Sequence, residues 1–131
     1  MKKNLRTFLS VLILSISCFS LTAFAATTYT DILIFQGEHT GSTRSYTGTD
    51  MTWSGYTYTE YQNDFMATTF NVSLYRKNFI GASKIGSSTL SRVGHHNVSW
   101  TNVGSGDYYF YYTKDRDNAN VRSDAITMKM S

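Results

Sequence analysis

Proline is absent from all 131 residues, and cysteine occurs once, as Cys18. Without proline, the breaks between elements have to come from Gly, Ser, Thr and Asn. Helical periodicity is also missing. After residue 26 no window keeps an apolar 3.6-residue repeat for three turns, so no substantial helix is predicted. The one cysteine falls in a segment expected to be removed, which excludes a disulfide-stapled scaffold.

That segment has a basic start, Met1-Lys2-Lys3-Asn4-Leu5-Arg6, and an apolar run from Phe8 to Phe19. Ala23-Phe24-Ala25 then supplies the small residues a signal peptidase reads. The order predicts an export signal over 1–25, with cleavage between Ala25 and Ala26. Serines 10, 15, 17 and 20 interrupt the run, and it falls short of the roughly 20 apolar residues that span a bilayer. Lipidation at Cys18 would want an aliphatic residue three positions earlier, where Ser15 stands.

Residues 26–131 are then a single domain, long enough to bury a core without staples. Three of the twelve basic residues and none of the nine acidic ones lie in the export segment, so the remainder is formally neutral. The basic balance of the whole chain belongs to targeting and points to no nucleic-acid partner. No membrane span is expected after cleavage. The Lys-Lys signal and the cysteine-free domain read as a secreted bacterial protein, cell-wall-associated or periplasmic location being the alternatives.

Alternation with period two recurs from Tyr29 onward. Predicted strands are Tyr29–Gln36, a weak Thr43–Thr47, Met51–Tyr61, a strongly alternating Met66–Tyr75, short pieces at Phe79–Ile85 and Leu90–Val93, His95–Val103, Gly106–Lys114 and Val121–Met130. Gly37–Ser42 reads as a break. Seven or eight short strands with frequent turns predict an all-β antiparallel sandwich, immunoglobulin-like or jelly-roll-like.

Five consecutive aromatics, Tyr108 to Tyr112, make Gly106–Lys114 the organising strand. Tyr108, Phe110 and Tyr112 are predicted to face inward, and Tyr109 and Tyr111 outward. A hairpin with Val121–Met130 would set Phe110 opposite Ile126 and Tyr108 opposite Met128, leaving Tyr109 beside Thr127 and Tyr111 beside Ala125. The segment Val103-Gly104-Ser105-Gly106-Asp107-Tyr108 resembles the tyrosine corner of immunoglobulin-like sandwiches. That likeness implies a tyrosine hydroxyl bonded back to the backbone upstream, and it bears on fold alone.

Chemistry-bearing patterns are sparse. No serine sits in a Gly-x-Ser-x-Gly context and no spacing favours a catalytic triad, so the sequence points away from an enzyme and to no cofactor. His95-His96 with His39 is the only cluster of imidazoles; neighbours on a strand point to opposite faces, so the pair could share an ion only if a turn at Gly94 realigned it, and an exposed loop pair with no metal is expected. Asp115-x-Asp117-Asn118 lacks the glycine and distal glutamate of a calcium loop.

Aromatic excess remains. Ten tyrosines and two tryptophans outnumber what such a core needs, since a buried tyrosine hydroxyl must find a partner. Tyr109, Tyr111, Tyr56, Tyr58 and Trp53 are the candidate binding residues. Trp53 falls on the face opposite Tyr56 and Tyr58 unless Gly55 forms a bulge. Cross-strand aromatic pairing that stabilises the sheet is the competing role. The functional expectation is non-enzymatic binding of a glycan, cell-wall or protein partner through an aromatic sheet face. The alternatives are a bacteriocin-like antagonist and a self-assembling surface protein.

Overall fold

The computed structural model describes residues 25–59 and 66–131. The expected export signal falls, but for Ala25, outside the described residues.

Among the described residues there are nine strands and no helix: β1 Thr27–Phe35, β2 Glu38–Thr40, β3 Arg44–Tyr46, β4 Met51–Thr59, β5 Thr69–Asn78, β6 Gly81–Ser91, β7 Gly94–Trp100, β8 Gly106–Thr113 and β9 Val121–Met130. The pairings are nested. β5 pairs with β6, β4 with β7, β2 and β3 with β8, and β1 with β9, all antiparallel. The chain is therefore one long hairpin, with its apex between β5 and β6, rolled up on itself. Two further ladders close the roll, β4 with β9 and β5 with β8. The resulting sheets have the orders β1-β9-β4-β7 and β2-β8-β5-β6, with β3 also on the edge of β8. This is the double-sheet jelly roll, and of the two expected sandwich types it is the one adopted.

Alternation explains the core. From the first sheet Leu33, Phe35, Met51, Trp53, Val98, Trp100, Val121, Ile126, Met128 and Met130 point inward; from the second, Tyr46, Phe70, Val72, Leu74, Tyr108, Phe110 and Tyr112 meet them. β8 is bonded along both edges, and its inward and outward residues divide as the sequence suggests. The tyrosine corner is present although the topology is not that of an immunoglobulin domain. The Tyr108 hydroxyl lies 2.7 Å from the carbonyl oxygens of both Val103 and Gly104.

The expected hairpin between Gly106–Lys114 and Val121–Met130 does not form. β8 lies in one sheet and β9 in the other. Alternation fixes which face a side chain takes but not which strand lies beside it. The seven residues between β8 and β9 can stretch to about 23 Å, ample to cross the roughly 10 Å between sheets. Phe110, Tyr112, Ile126 and Met128 do meet, but across the interior, around one small void. Two smaller expectations also change. The predicted break at 37–42 contains β2, and the two short pieces after Phe79 merge into the single strand β6.

The β8–β9 crossing is anchored by charge. Asp117 accepts from Lys114 Nζ and, at 2.5 Å, from Arg92 Nη1, and it also accepts from the backbone N–H groups of Ala67 and Ala119. Burial by itself would raise its pKa. The bonds from Lys114, Ala119, Ala67 and Arg92 outweigh burial and hold the carboxyl well below the usual carboxylate range.

Candidate binding face

The five aromatic candidates do not share a surface. Tyr109 and Tyr111 stand on the outer face of the second sheet, Tyr56 and Tyr58 on the outer face of the first, and Trp53 is in the core. Trp53 is 0% exposed, and its Nε1–H donates to the Tyr112 hydroxyl at 3.0 Å. It has no surface left for a ligand, which corrects its candidacy. Its position opposite Tyr56 and Tyr58 follows from simple alternation along β4.

On the second sheet, Tyr75 of β5 joins Tyr109 and Tyr111. In register with Tyr109, its ring stacks on that residue at 5.3 Å with planes 7° apart, and it meets Tyr111 edge-on at 6.1 Å. The Tyr111 hydroxyl donates to Glu38 Oε2 at 2.8 Å, and that bond leads the causes that raise its pKa. These tyrosines thus spend ring faces on each other, and Tyr111 also spends its hydroxyl on Glu38. The small neighbours expected from the β8–β9 hairpin, Thr127 and Ala125, lie in the other sheet. This cluster has the geometry of cross-strand aromatic pairing.

The first sheet differs because β9 slips phase. Ser54 of β4 pairs with Thr127 and Thr57 with Ser123, so β9 carries one residue more than β4 over the same stretch. The same stretch shifts register against β1 between Ile32 and Ile34. Across this bulge Ser123 turns inward, Asp124 and Ala125 both face out, and Ile126 returns to the core. Ser123 Oγ accepts from Leu33 N–H at 2.8 Å, so the bulge leaves that buried donor satisfied. Gly55 admits Ile126 where a Cβ would stand 2.5 Å from its Cγ2.

Beside the bulge is an open depression of about 410 Å³ lined by Ser54, Gly55, Tyr56, His95, His96, Asp124, Ala125 and Thr127. Its wall is aromatic. Tyr56 packs on His95 at 4.7 Å and lies 6.4 Å from Tyr58, with the tyrosine planes 25° apart. The side chains of Ser54, Asp124 and Thr127 hydrogen-bond to nothing among the described residues. Tyr56 and His95 thus stand beside two hydroxyls and a carboxylate that bond nothing among the described residues. No hydrogen bond joins Ser54 to His95 or His95 to Asp124, so the three do not make a proton relay in this arrangement.

The histidines separate as strand geometry requires. His95 faces out, whereas His96 turns in toward Trp53 and Phe70 and bonds Thr57 Oγ1 at 2.9 Å. His39 stacks on Tyr112 at 6.0 Å. Among the described residues no group of three or more His, Cys, Asp or Glu is placed to hold a metal ion. Both Asp117 oxygens are taken by cations and amides. Among the described residues no helix is long and apolar enough to cross a membrane.

Sequence reading missed Ser54, His95, Asp124 and Thr127 as neighbours of Tyr56. The one hint in the sequence was that Val121 and Ile126, both apolar, cannot share a face on an unbroken strand, which does not say where the slip falls.

No family model matches this chain, and no curated protein matches it in sequence. Among solved structures it is similar to the VP2 subviral particle of infectious bursal disease virus, with a TM-score of 0.50 and 8% identity over 82% of this chain. It spans only 33% of that VP2 chain. A looser likeness is to the Yersinia pseudotuberculosis-derived mitogen, at TM-score 0.46 and 13% identity, covering 82% of this chain and 86% of that one. Another is to a Bacillus endospore appendage protein of disulfide-linked pili, at 0.38 and 9%, covering 82% and 90%. The VP2 likeness concerns the shared β-sandwich fold.

Proposed function

We propose that this protein is a secreted, non-enzymatic binding module that holds a glycan of the cell envelope or extracellular surroundings against Tyr56. The observation that carries the reading is the contrast between the two outer faces. Both faces carry aromatics packed on one another, but only Tyr56 and His95 border a depression whose Ser54, Asp124 and Thr127 side chains bond nothing among the described residues. A sugar ring offers C–H groups that settle on the electron-rich face of an aromatic ring, and hydroxyls that donate to a carboxylate or exchange bonds with Ser and Thr. Export rests on the basic-apolar-small order of residues 1–25 and on the absence of cysteine beyond it.

Titration calorimetry of residues 26–131 with soluble polysaccharides and peptidoglycan fragments tests this. Tyr56→Ala and Asp124→Asn should each weaken the best ligand by at least about tenfold, or about 1.4 kcal/mol. Tyr109→Ala should leave affinity within about twofold, because its ring serves the sheet. The opposite ranking would move the site to the other face, and no saturable glycan binding would end the proposal.

A further inference from the structure

The apex of the rolled hairpin is the two-residue turn Phe79–Ile80, and these side chains are 103% and 91% exposed. Nothing among the described residues packs on them. β8 accompanies β5 only as far as the Arg76–Tyr108 pair, so the segment from Lys77 to Ser83 projects beyond the third strand. Every residue from Lys77 to Ile85 is exposed. The turn is nonetheless ordered by its own bonds. Asn78 Nδ2 donates to Ser83 Oγ at 2.6 Å, and Gly81 takes φ of 101°, which lets Phe79 and Ile80 keep ordinary negative φ. The apolar pair is thus held outward at the end of a short arm.

The arm also carries charge of one sign. Between residues 66 and 106 there is no acidic residue, while Arg76, Lys77, Lys84 and Arg92 are present. Arg92 is buried on Asp117, and Arg76 donates to the Ser105 carbonyl and covers the Tyr108 ring. Lys77, on the arm, and Lys84, at its base, remain. Tyr75 is in register with Lys84, so both lysines lie on the Tyr75 face. Two residues of strand place Lys77 about 7 Å behind Phe79. Apolar groups of interfacial proteins enter about 5–10 Å into the boundary between headgroups and acyl chains. At that depth the Lys77 ammonium lies among the headgroups.

We propose that the Phe79–Ile80 apex is a membrane-surface anchor that inserts into an anionic lipid leaflet, with Lys77 and Lys84 engaging the headgroup phosphates. This site is separate from the Tyr56 depression, and its success or failure is independent of glycan binding.

Vesicle co-sedimentation of residues 26–131 tests it, with pure phosphatidylcholine compared against phosphatidylcholine containing phosphatidylglycerol. Binding should favour the anionic vesicles and weaken with added salt. Phe79→Ser with Ile80→Ser should reduce binding to them at least about tenfold, since both apolar side chains then stay in water. Lys77→Glu with Lys84→Glu should cost at least about tenfold on anionic vesicles and little on neutral ones. Phe79→Trp adds an insertion readout, because the native Trp53 and Trp100 are buried: its emission should shift to the blue with anionic vesicles. These side chains make no core contacts, so circular dichroism should show every variant folded. Equal binding to both vesicle types, binding indifferent to the apex substitutions, or an unshifted tip emission would each overturn the proposal. So would an apex whose substitution alters only self-association in vesicle-free sedimentation.

Discussion

Trp53 of β4 donates its indole N–H to the Tyr112 hydroxyl of β8, 3.0 Å away, and the bond ties the two sheets together through the middle of the core. Both residues are almost wholly buried, and burial drives the Tyr112 pKa upward, above the ordinary tyrosine range. We expect Tyr112→Phe to leave the indole donor without a partner at a cost of about 1–3 kcal/mol. Urea denaturation at unchanged m-value measures it. A loss below a few tenths of a kcal/mol would show that the bond contributes little to holding the sheets together.

Asp117 is the second long-range tie. Asp117→Asn should leave Arg92 and Lys114 buried without their counter-charge and destabilise by about 3–5 kcal/mol. Because its folded pKa is depressed, the stability Asp117 contributes is fully present above its unfolded value near 4 and is lost as pH falls through the folded value. Acid unfolding should therefore be steep below about pH 4 in the wild type and shallower in the variant. Superimposable acid profiles would contradict this.

His96 should register in a different window. Burial lowers its pKa first of all, opposed by a hydrogen bond to the Ser91 backbone and aided by the charge of His95. The folded state therefore prefers neutral imidazole. Its contribution is present above the unfolded value of 6.5 and declines as pH falls below it toward the depressed folded value. Thermal unfolding across this range should show Tm falling with pH, and His96→Gln should flatten that slope. A slope that survives the substitution belongs to another group.

Much of the fold was legible because side-chain alternation is a strong signal. The inward set Tyr108, Phe110 and Tyr112, the strand from Phe70 to Leu74 and the tyrosine corner all follow from period two and turn residues. Strand neighbours were not legible. Phe110 and Ile126 do share the interior, yet they come from different sheets, since alternation specifies faces and only the completed roll specifies partners. The same limit applies to the candidate residues. Tyr111 and Tyr56 look alike in sequence, but one stands beside Tyr75 and Glu38 and the other beside an open depression. What separates them is a register shift in β9, which takes a pairing partner to define.

The proposed binding surface is the Tyr56 face and not the tyrosine-rich face of β8. Backbone amide NMR of residues 26–131 titrated with the tightest-binding glycan measures this most directly. Shifts are expected at Ser54, Tyr56, His95, Asp124 and Thr127, with Tyr75, Tyr109 and Tyr111 unmoved. Shifts confined to Tyr75, Tyr109 and Tyr111, or none on either face, would contradict it.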